Sequence, residues 1–474
     1  MVQEEEKQIL EKITPTEEER RLVYGIAEEV RRRVEEELRA LGVEAEVRVE
    51  GSVAKDTWLR GDADIDIFAL LPPETPKEFL KTRFLDAARK ATKGYRQVER
   101  WAEHPYLECT LDGIRLNIVP CYKTRPGKWI SATDRTPYHT EYVLKRLNEG
   151  LKAEIRLLKA FMKGIGCYGA EIRIGGFSGY LCELLTLNYG GFRQTLEEAS
   201  EWRPPILIDI EGYYEGHPED ALELFQHPII VVDPVDEARN AASAVKPKRL
   251  WEFVSAARQY LKKPSQIFFF PREKPAPKPE QVRKKLLARG TSHIALAFRP
   301  PKAPPDILWG QLFKAEQAVC RFLKRKEYRV LRSACWSDEE KQAVLVYELE
   351  SRRLPAIKRH VGPPVWMTQH SQQFLEKYLG NKEVATGPVI EEDRWVVYLK
   401  TGRTDAKSVL KQTIGKEKMG IPKAILESMK KTLKIHADEE ICILCENAEF
   451  SRFLDEFLVG RPSWLEHNNT NRKT

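Results

Sequence analysis

The run GSVAKDTWLRGDADIDIF, from Gly51 to Phe68, constrains this chain more than any other stretch. Gly51 and Ser52 make a turn that presents backbone N–H groups and a hydroxyl, a combination suited to phosphate oxygens. Further on, Asp64 and Asp66 bracket Ile65 at the start of an apolar run. In a strand the two aspartates share one face while Ile65 and Ile67 point into the core. Two carboxylates so close repel each other, and a divalent cation resolves the conflict. Hard carboxylate oxygens favour Mg²⁺, and two such ions suit an in-line displacement that joins a hydroxyl to a phosphate and releases pyrophosphate. An Asp pair alone is more often an exposed strand entrance; the Gly-Ser turn at this spacing is what favours metal-dependent nucleotidyl transfer.

The rest of the chain supplies context. Its 474 residues point to about three domains at roughly 150 residues each, and 42% hydrophobic with 31% charged residues is a globular composition. The net charge of +7 is too mild to demand a polyanionic partner, but the acids crowd the first forty positions, whereas Lys246 to Arg249, Arg283 to Arg289 and Arg321 to Arg329 are basic, which permits an RNA-facing surface. No run of 18 apolar residues occurs and MVQEEEKQIL is acidic, so an intracellular, cytoplasmic protein with no membrane span is expected. The 8 cysteines are too sparse for a disulfide scaffold. Cys442 and Cys445 have CxxC spacing within a strand-like run, EEICILCE, where buried thiols are favoured over zinc ligands.

Periodicity predicts a long amphipathic helix opening the chain, with Thr16 and Glu19 at capping-box spacing and Val23, Ile26, Ala27, Val30, Val34 and Leu38 on its apolar face. A strand through Val47 and Val49, the strand Asp64 to Leu71, a helix near 77–91 and a hairpin about Asp112-Gly113 complete an α+β unit. Helical periodicity dominates from about Thr140 to Tyr260, with strand-like breaks at 206–210 and 229–232. Prolines at 264, 271, 275, 277 and 279 mark a linker. A strand at 293–298, a helix at 307–325 and strands at 328–333 and 343–349 follow. Residues 363 to 433 alternate strand and helix, and the closing HNNTNRKT is polar and expected to fray.

Further blocks carry a resemblance. AEHPYLE (from Ala102), NIVPCYK (from Asn117), DRTPYH (from Asp134), EIRLLKAFMK (from Glu154), CYGAEIRIGGFSGYLCELL (from Cys167) and VVDPVDEARNAA (from Val231) resemble, in order, the archaeal class of CCA-adding enzymes, tRNA nucleotidyltransferases of the DNA polymerase beta-like superfamily. The resemblance implies an α+β, multidomain fold: a polymerase-beta-like head at 1–139, a mostly helical neck at 140–265, an α+β body at 280–362 and 434–466, and a tail at 363–433. It implies template-independent addition of C, C and A to the 3′ end of tRNA from CTP and ATP, two Mg²⁺ ions, contacts to the acceptor and T arms, and a homodimer. By position, Ser52 and Lys55 would meet the triphosphate beside Gly51. Thr136, His139, Lys159 and Tyr168 would complete the nucleotide pocket, and Arg239 would read the base edge. Each has a plainer reading as a helix cap, a core ring or a solvated charge; only their joint occurrence favours the site. A poly(A) or oligoadenylate polymerase of the same superfamily, and a non-catalytic RNA-binding homologue, are the rival functions.

One position departs from the pattern. The third metal-binding carboxylate of the family falls on Asn117, which offers one neutral oxygen and would weaken the metal that activates the attacking hydroxyl. An introduced inactivating substitution explains this most simply. Alternatively, a two-residue turn at Asp112-Gly113 sets Glu108 opposite Asn117, on the same face, where it could replace part of the missing carboxylate.

Overall fold

The computed structural model describes residues 4–101, 104–272, 274–402 and 404–465. It divides into two compact units, one built from the chain up to residue 273 and again from Pro462, the other from Lys274–Arg461. The polar tail 467–474 and the first two residues of the AEHPYLE block lie outside the described residues. Among those described, no helix is long and apolar enough to cross a membrane.

In the first unit, α1 (Glu4–Ile13) precedes the predicted opening helix and buries Ile9 and Ile13. The predicted helix is α2 (Glu17–Ala40), which buries the six expected apolar residues. Thr16 Oγ1 accepts from the Glu19 N–H at 3.1 Å. Glu19 does not close the capping box; its carboxylate accepts from the Gly61 N–H at 2.6 Å and ties the helix to the loop of the Gly51–Phe68 motif.

Next come β1 (Glu46–Glu50), α3 (Gly51–Ala54), β2 (Asp64–Leu71), α4 (Lys77–Lys81), α5 (Arg83–Ala91), β3 (Arg96–Trp101), β4 (Pro105–Leu111) and β5 (Ile114–Tyr122). The strands form one sheet in the order β1-β2-β5-β4-β3, with β2 and β5 parallel. Side chains from α2 and α5 cover the sheet face that carries Ile65 and Ile67, so the aspartates of β2 lie on the other face. The expected helix at 77–91 is two, broken at Thr82, whose φ of −122° and ψ of −84° are not helical. β3 was not foreseen: it is an edge strand in which Arg96, Glu99 and Arg100 are charged, and charge at edges blocks further pairing while hiding the hydrophobic signal.

The helices α6 (Thr136–Leu144), α7 (Glu149–Gly164), α8 (Gly179–Tyr189) and α9 (Phe192–Glu201) follow. Then come β6 (Ile206–Asp209), α10 (Pro218–Phe225), β7 (Ile229–Asp233), β8 (Asp236–Asn240) and α11 (Pro247–Lys262). An aromatic core gathers Phe161, Phe192, Phe253, Tyr260 and Phe268. Trp464 stacks on Phe268 with ring centroids 5.9 Å apart, so the segment from Pro462 belongs here and not to the C-terminal part, where 434–466 was expected.

The second unit contains α12 (Pro279–Ala288), β9 (Ser292–Phe298), α13 (Pro305–Arg325), β10 (Val330–Ser337), β11 (Ala343–Leu349) and β12 (Ile357–Pro364). After them run α14 (Thr368–Tyr378), β13 (Val384–Glu391), β14 (Arg394–Lys400), α15 (Ala406–Thr413), α16 (Lys423–Thr432), β15 (Lys434–Ala437) and α17 (Ala448–Val459). The sheet β10-β11-β9-β15 is covered on both faces, while β12-β14-β13 is a separate sheet against α14. Ala406, Leu410, Ile425 and Met429 are buried with β9 and α13. The sheet β12-β14-β13 and α14 span residues 357–400, overlapping the stretch where the tail was expected at 363–433. The strand-like EEICILCE is a 3-10 helix at Asp438–Glu446. Its buried residues, Ile441, Leu444 and Cys445, recur at helical spacing rather than in alternation. Burial pushes the Cys445 thiol up to about 11.

Candidate active site

A cleft of about 560 Å³ in the first unit is lined by Gly51, Ser52, Lys55, Asp64, Asp66, Thr136, His139, Lys159 and Tyr168. Nine residues chosen from the sequence thus converge on one cavity. Asn117 and Arg239 do not line it; Asn117 touches Asp64 and Asp66, which do, and Arg239 touches Asp233, which lies behind the lining residue His139.

The carboxylate wall is built by the β2–β5 ladder, whose register pairs Asp64 with Arg115 and Asp66 with Asn117. The Asn117 amide donates from Nδ2 to Asp64 Oδ1 at 3.2 Å and to Asp66 Oδ1 at 3.0 Å. Arg115 forks onto Asp64, with Nε to Oδ1 at 3.0 Å and Nη2 to Oδ2 at 2.9 Å. Burial, then repulsion from Asp64, pushes the Asp66 carboxyl up to about 7, with the Asn117 hydrogen bond opposing. Burial also raises Asp64, against the pull of Arg115. Gly51 lies against this wall at φ +71°, and a Cβ there would collide with the Asp66 carboxylate. Two adjacent acids held above their ordinary range fit a hard divalent cation. Among the described residues no group of three or more His, Cys, Asp or Glu side chains is placed to hold a metal; beside Asp64 and Asp66 stands the Asn117 amide.

Glu108 stands directly opposite Asn117 across the β4–β5 hairpin, as the turn at Asp112-Gly113 predicted. Its carboxylate accepts from Arg100 Nη2 at 2.8 Å.

A second wall is cationic. Lys55 Nζ lies 2.6 Å from Glu183 Oε2 and Lys159 Nζ 2.8 Å from Glu183 Oε1, all three side chains at most 5% exposed. The Thr57 hydroxyl donates to Glu183 Oε1 at 2.6 Å. Burial favours a neutral Glu183, but the two lysines overcome it and hold the carboxyl at about 2. Two ammonium groups on one carboxylate leave one net positive charge buried beside the cleft, a setting for an anionic phosphate. Local sequence explains the placement. Asn148 caps α7, accepting from Leu151 N–H at 2.9 Å, and Ser178 caps α8, accepting from Leu181 N–H at 3.1 Å. Gly179 opens α8 without a side chain, since a Cβ there would lie 2.8 Å from the Tyr168 hydroxyl and 3.7 Å from Lys159 Nζ.

The DRTPYH block owes its shape to Asp134. Its buried carboxylate accepts from the N–H groups of Tyr122, Ile130 and Ser131 at 2.7–2.9 Å, which starts α6 beside β5 and sets Thr136 and His139 toward the cleft. His139 Nε2 lies 2.8 Å from Asp233 Oδ2, and Arg239 pairs with that same oxygen. Arg239 therefore reaches the site through Asp233.

Sequence reading missed Glu183, Thr57, Arg115 and Asp233. Glu183 and Asp233 carried a signal: each is a lone acid inside an apolar run, LCELL and IIVVD, where a charge is kept only if it is paired.

Residues 30–139 match the family described as "Nucleotidyltransferase domain", residues 153–270 "tRNA nucleotidyltransferase, second domain", and residues 289–438 "CCA-adding enzyme, C-terminal domain". The chain is 36% identical over 441 residues to a CCA-adding enzyme of Methanosarcina barkeri, covering 92% of this chain and 94% of that protein. It is 37% identical to one of Methanoregula boonei, covering 96% and 95%. With one of Halobacterium salinarum it shares 38%, covering 82% and 84%. By full-length similarity and by the three matched domains in order, the chain belongs to the CCA-adding enzyme family of tRNA nucleotidyltransferases.

Proposed function

We propose that this chain adds C, C and A to the 3′ end of tRNA from CTP and ATP without a template, at the cleft between Asp66 and Lys159. The observation that carries the reading is the pairing of an acidic wall with a cationic one across a single cavity. The buried positive excess of Lys55 and Lys159 over Glu183 would receive the triphosphate, helped by Ser52. Asp64 and Asp66 would hold Mg²⁺, with two ions expected, and Asn117 in the third position. When bound, the metal would lower the charge on the phosphates and favour ionisation of the attacking hydroxyl. Arg239 would read the base edge from beside Asp233.

Glu108, one strand beyond Asn117 and on its face, would return part of the missing acidity. Its Arg100 partner is 34% exposed, and a partly exposed pair holds a carboxylate less firmly than a buried one. The head and neck would be the first unit, and the body and tail the second, gripping the acceptor and T arms. We further propose a homodimer acting in the cytoplasm with its RNA substrate.

Product length tests the reading against a poly(A) or oligoadenylate polymerase. On tRNA lacking its 3′ terminus, with CTP and ATP together, growth should stop after three nucleotides. Long adenylate tails from ATP alone would overturn it, and no extension by either this chain or its Asn117→Asp variant would favour a non-catalytic homologue.

A further inference from the structure

Asp233 ends β7 fully buried, and both of its oxygens are engaged. Oδ1 accepts from the Tyr180 hydroxyl and the Val235 N–H, each at 3.1 Å. Oδ2 meets His139 Nε2 at 2.8 Å and Arg239. An ionised carboxylate only accepts, so the His139 nitrogen facing it carries the hydrogen. Burial raises an acid, but His139, Arg239 and the Val235 N–H together hold Asp233 below its ordinary range. Burial lowers His139 in spite of Asp233, which favours the neutral ring. The Tyr180 ring stacks on the imidazole with centroids 4.1 Å apart and fixes its plane.

These constraints leave one polar atom on His139, Nδ1, as a bare acceptor. Among the described residues it has no hydrogen-bond partner, it is not one of the sealed, unsatisfied polar atoms, and its ring lines the cleft. A neutral acceptor is mismatched to a phosphate oxygen, which also only accepts. It matches the hydrogen of a hydroxyl. Resting on the nucleotide site argued above, we propose that Asp233 locks His139 as the Nε2–H tautomer so that Nδ1 reads a ribose hydroxyl of the bound nucleoside triphosphate. Asp233 is then a positioning residue, and the pair selects ribonucleotides.

Two measurements on the full chain test this. Nitrogen-15 NMR of the histidine side chains, with His139 assigned by its loss in His139→Gln, should show Nε2 protonated and Nδ1 bare at neutral pH. Calorimetric titration with ATP, 2′-deoxy-ATP and 3′-deoxy-ATP in Mg²⁺ should find one deoxy compound bound about tenfold more weakly, the cost of a buried acceptor left unmatched. The weaker one identifies the hydroxyl. In Asp233→Asn the Val235 N–H keeps the amide oxygen, so the amide nitrogen turns to His139 and moves its hydrogen to Nδ1, as in other buried Asp–His pairs; the discrimination should vanish. Equal affinity of the native chain for all three nucleotides, or a His139 protonated at Nδ1, would overturn the inference alone. Failure to bind any nucleoside triphosphate would overturn the site on which it rests as well. Neither native-chain measurement depends on Asp233→Asn folding.

Discussion

Asp66 and Glu183 line the same cleft, and burial acts on both in the same direction, yet one carboxyl sits at about 7 and the other at about 2. Partners make the difference. Glu183 receives two ammonium groups and a hydroxyl, whereas Asp66 receives one amide hydrogen and faces a second acid. The cationic wall is thus complete within the protein, and the acidic wall is short of positive charge. A preorganised wall needs nothing at the moment of reaction; a charge-deficient one is where a cation gains most.

The sharpest way to break this contrast is to remove each carboxylate. Glu183→Gln strands two buried lysines, and urea unfolding should show a loss of about 3–5 kcal/mol, the usual cost of an uncompensated buried charge. Asp66→Asn removes repulsion instead, so its unfolding midpoint should stay or rise while nucleotide transfer is lost. Equal destabilisation by both would dissolve the distinction.

Asn117→Asp adds the charge that the acidic wall lacks in a metal's presence. Transfer to tRNA should rise by roughly 10- to 100-fold, the range associated with residues that tune a metal site. Manganese affinity, followed by electron paramagnetic resonance, should rise with it. If Glu108 contributes, Glu108→Gln should weaken that affinity in the native chain and do little once Asn117→Asp is present. An unchanged affinity in Glu108→Gln would remove Glu108 from the account.

The two walls should also answer pH oppositely. Asp66 is raised from its ordinary 3.8, so its contribution to stability is full below 3.8 and is lost as pH rises toward about 7. Glu183 is lowered from 4.5, so its contribution is present above 4.5 and is lost as pH falls toward about 2. Mg²⁺ should therefore raise the thermal midpoint more at pH 8 than at pH 5. The smallest effect expected is from Arg115→Ala. That side chain is 56% exposed, and freeing Asp64 of it should change unfolding by under about 1 kcal/mol.

How much of this was readable beforehand depended on whether the signal was local. The Asp64/Asp66 face, the Asp112-Gly113 turn and the Glu108–Asn117 pairing follow from a period of two and a short turn, and each appears as predicted. The charge partners did not follow. Lys159 and Glu183 lie on consecutive helices and Lys55 in a distant loop, and no local pattern encodes which lysine meets which acid. Arg239 looked like a side chain reaching for a base; the sequence held no sign that Asp233 would hold it beside His139. Similarly, β3 and β8 carry charged or polar residues on short hairpins, where the tertiary pairing outweighs the weak strand propensity. Trp464 joins the aromatic core of the first unit from the far end of the chain, a return that hydrophobicity alone does not announce.

Nucleotide choice on tRNA separates CCA addition from other nucleotidyl transfer. Transcripts ending before the first C, after one C and after two are each incubated with Mg²⁺ and a single labelled nucleoside triphosphate. CTP should be incorporated on the first two and ATP on the third, with little labelling by UTP or GTP on any. Incorporation of UTP or GTP equal to that of CTP would contradict it.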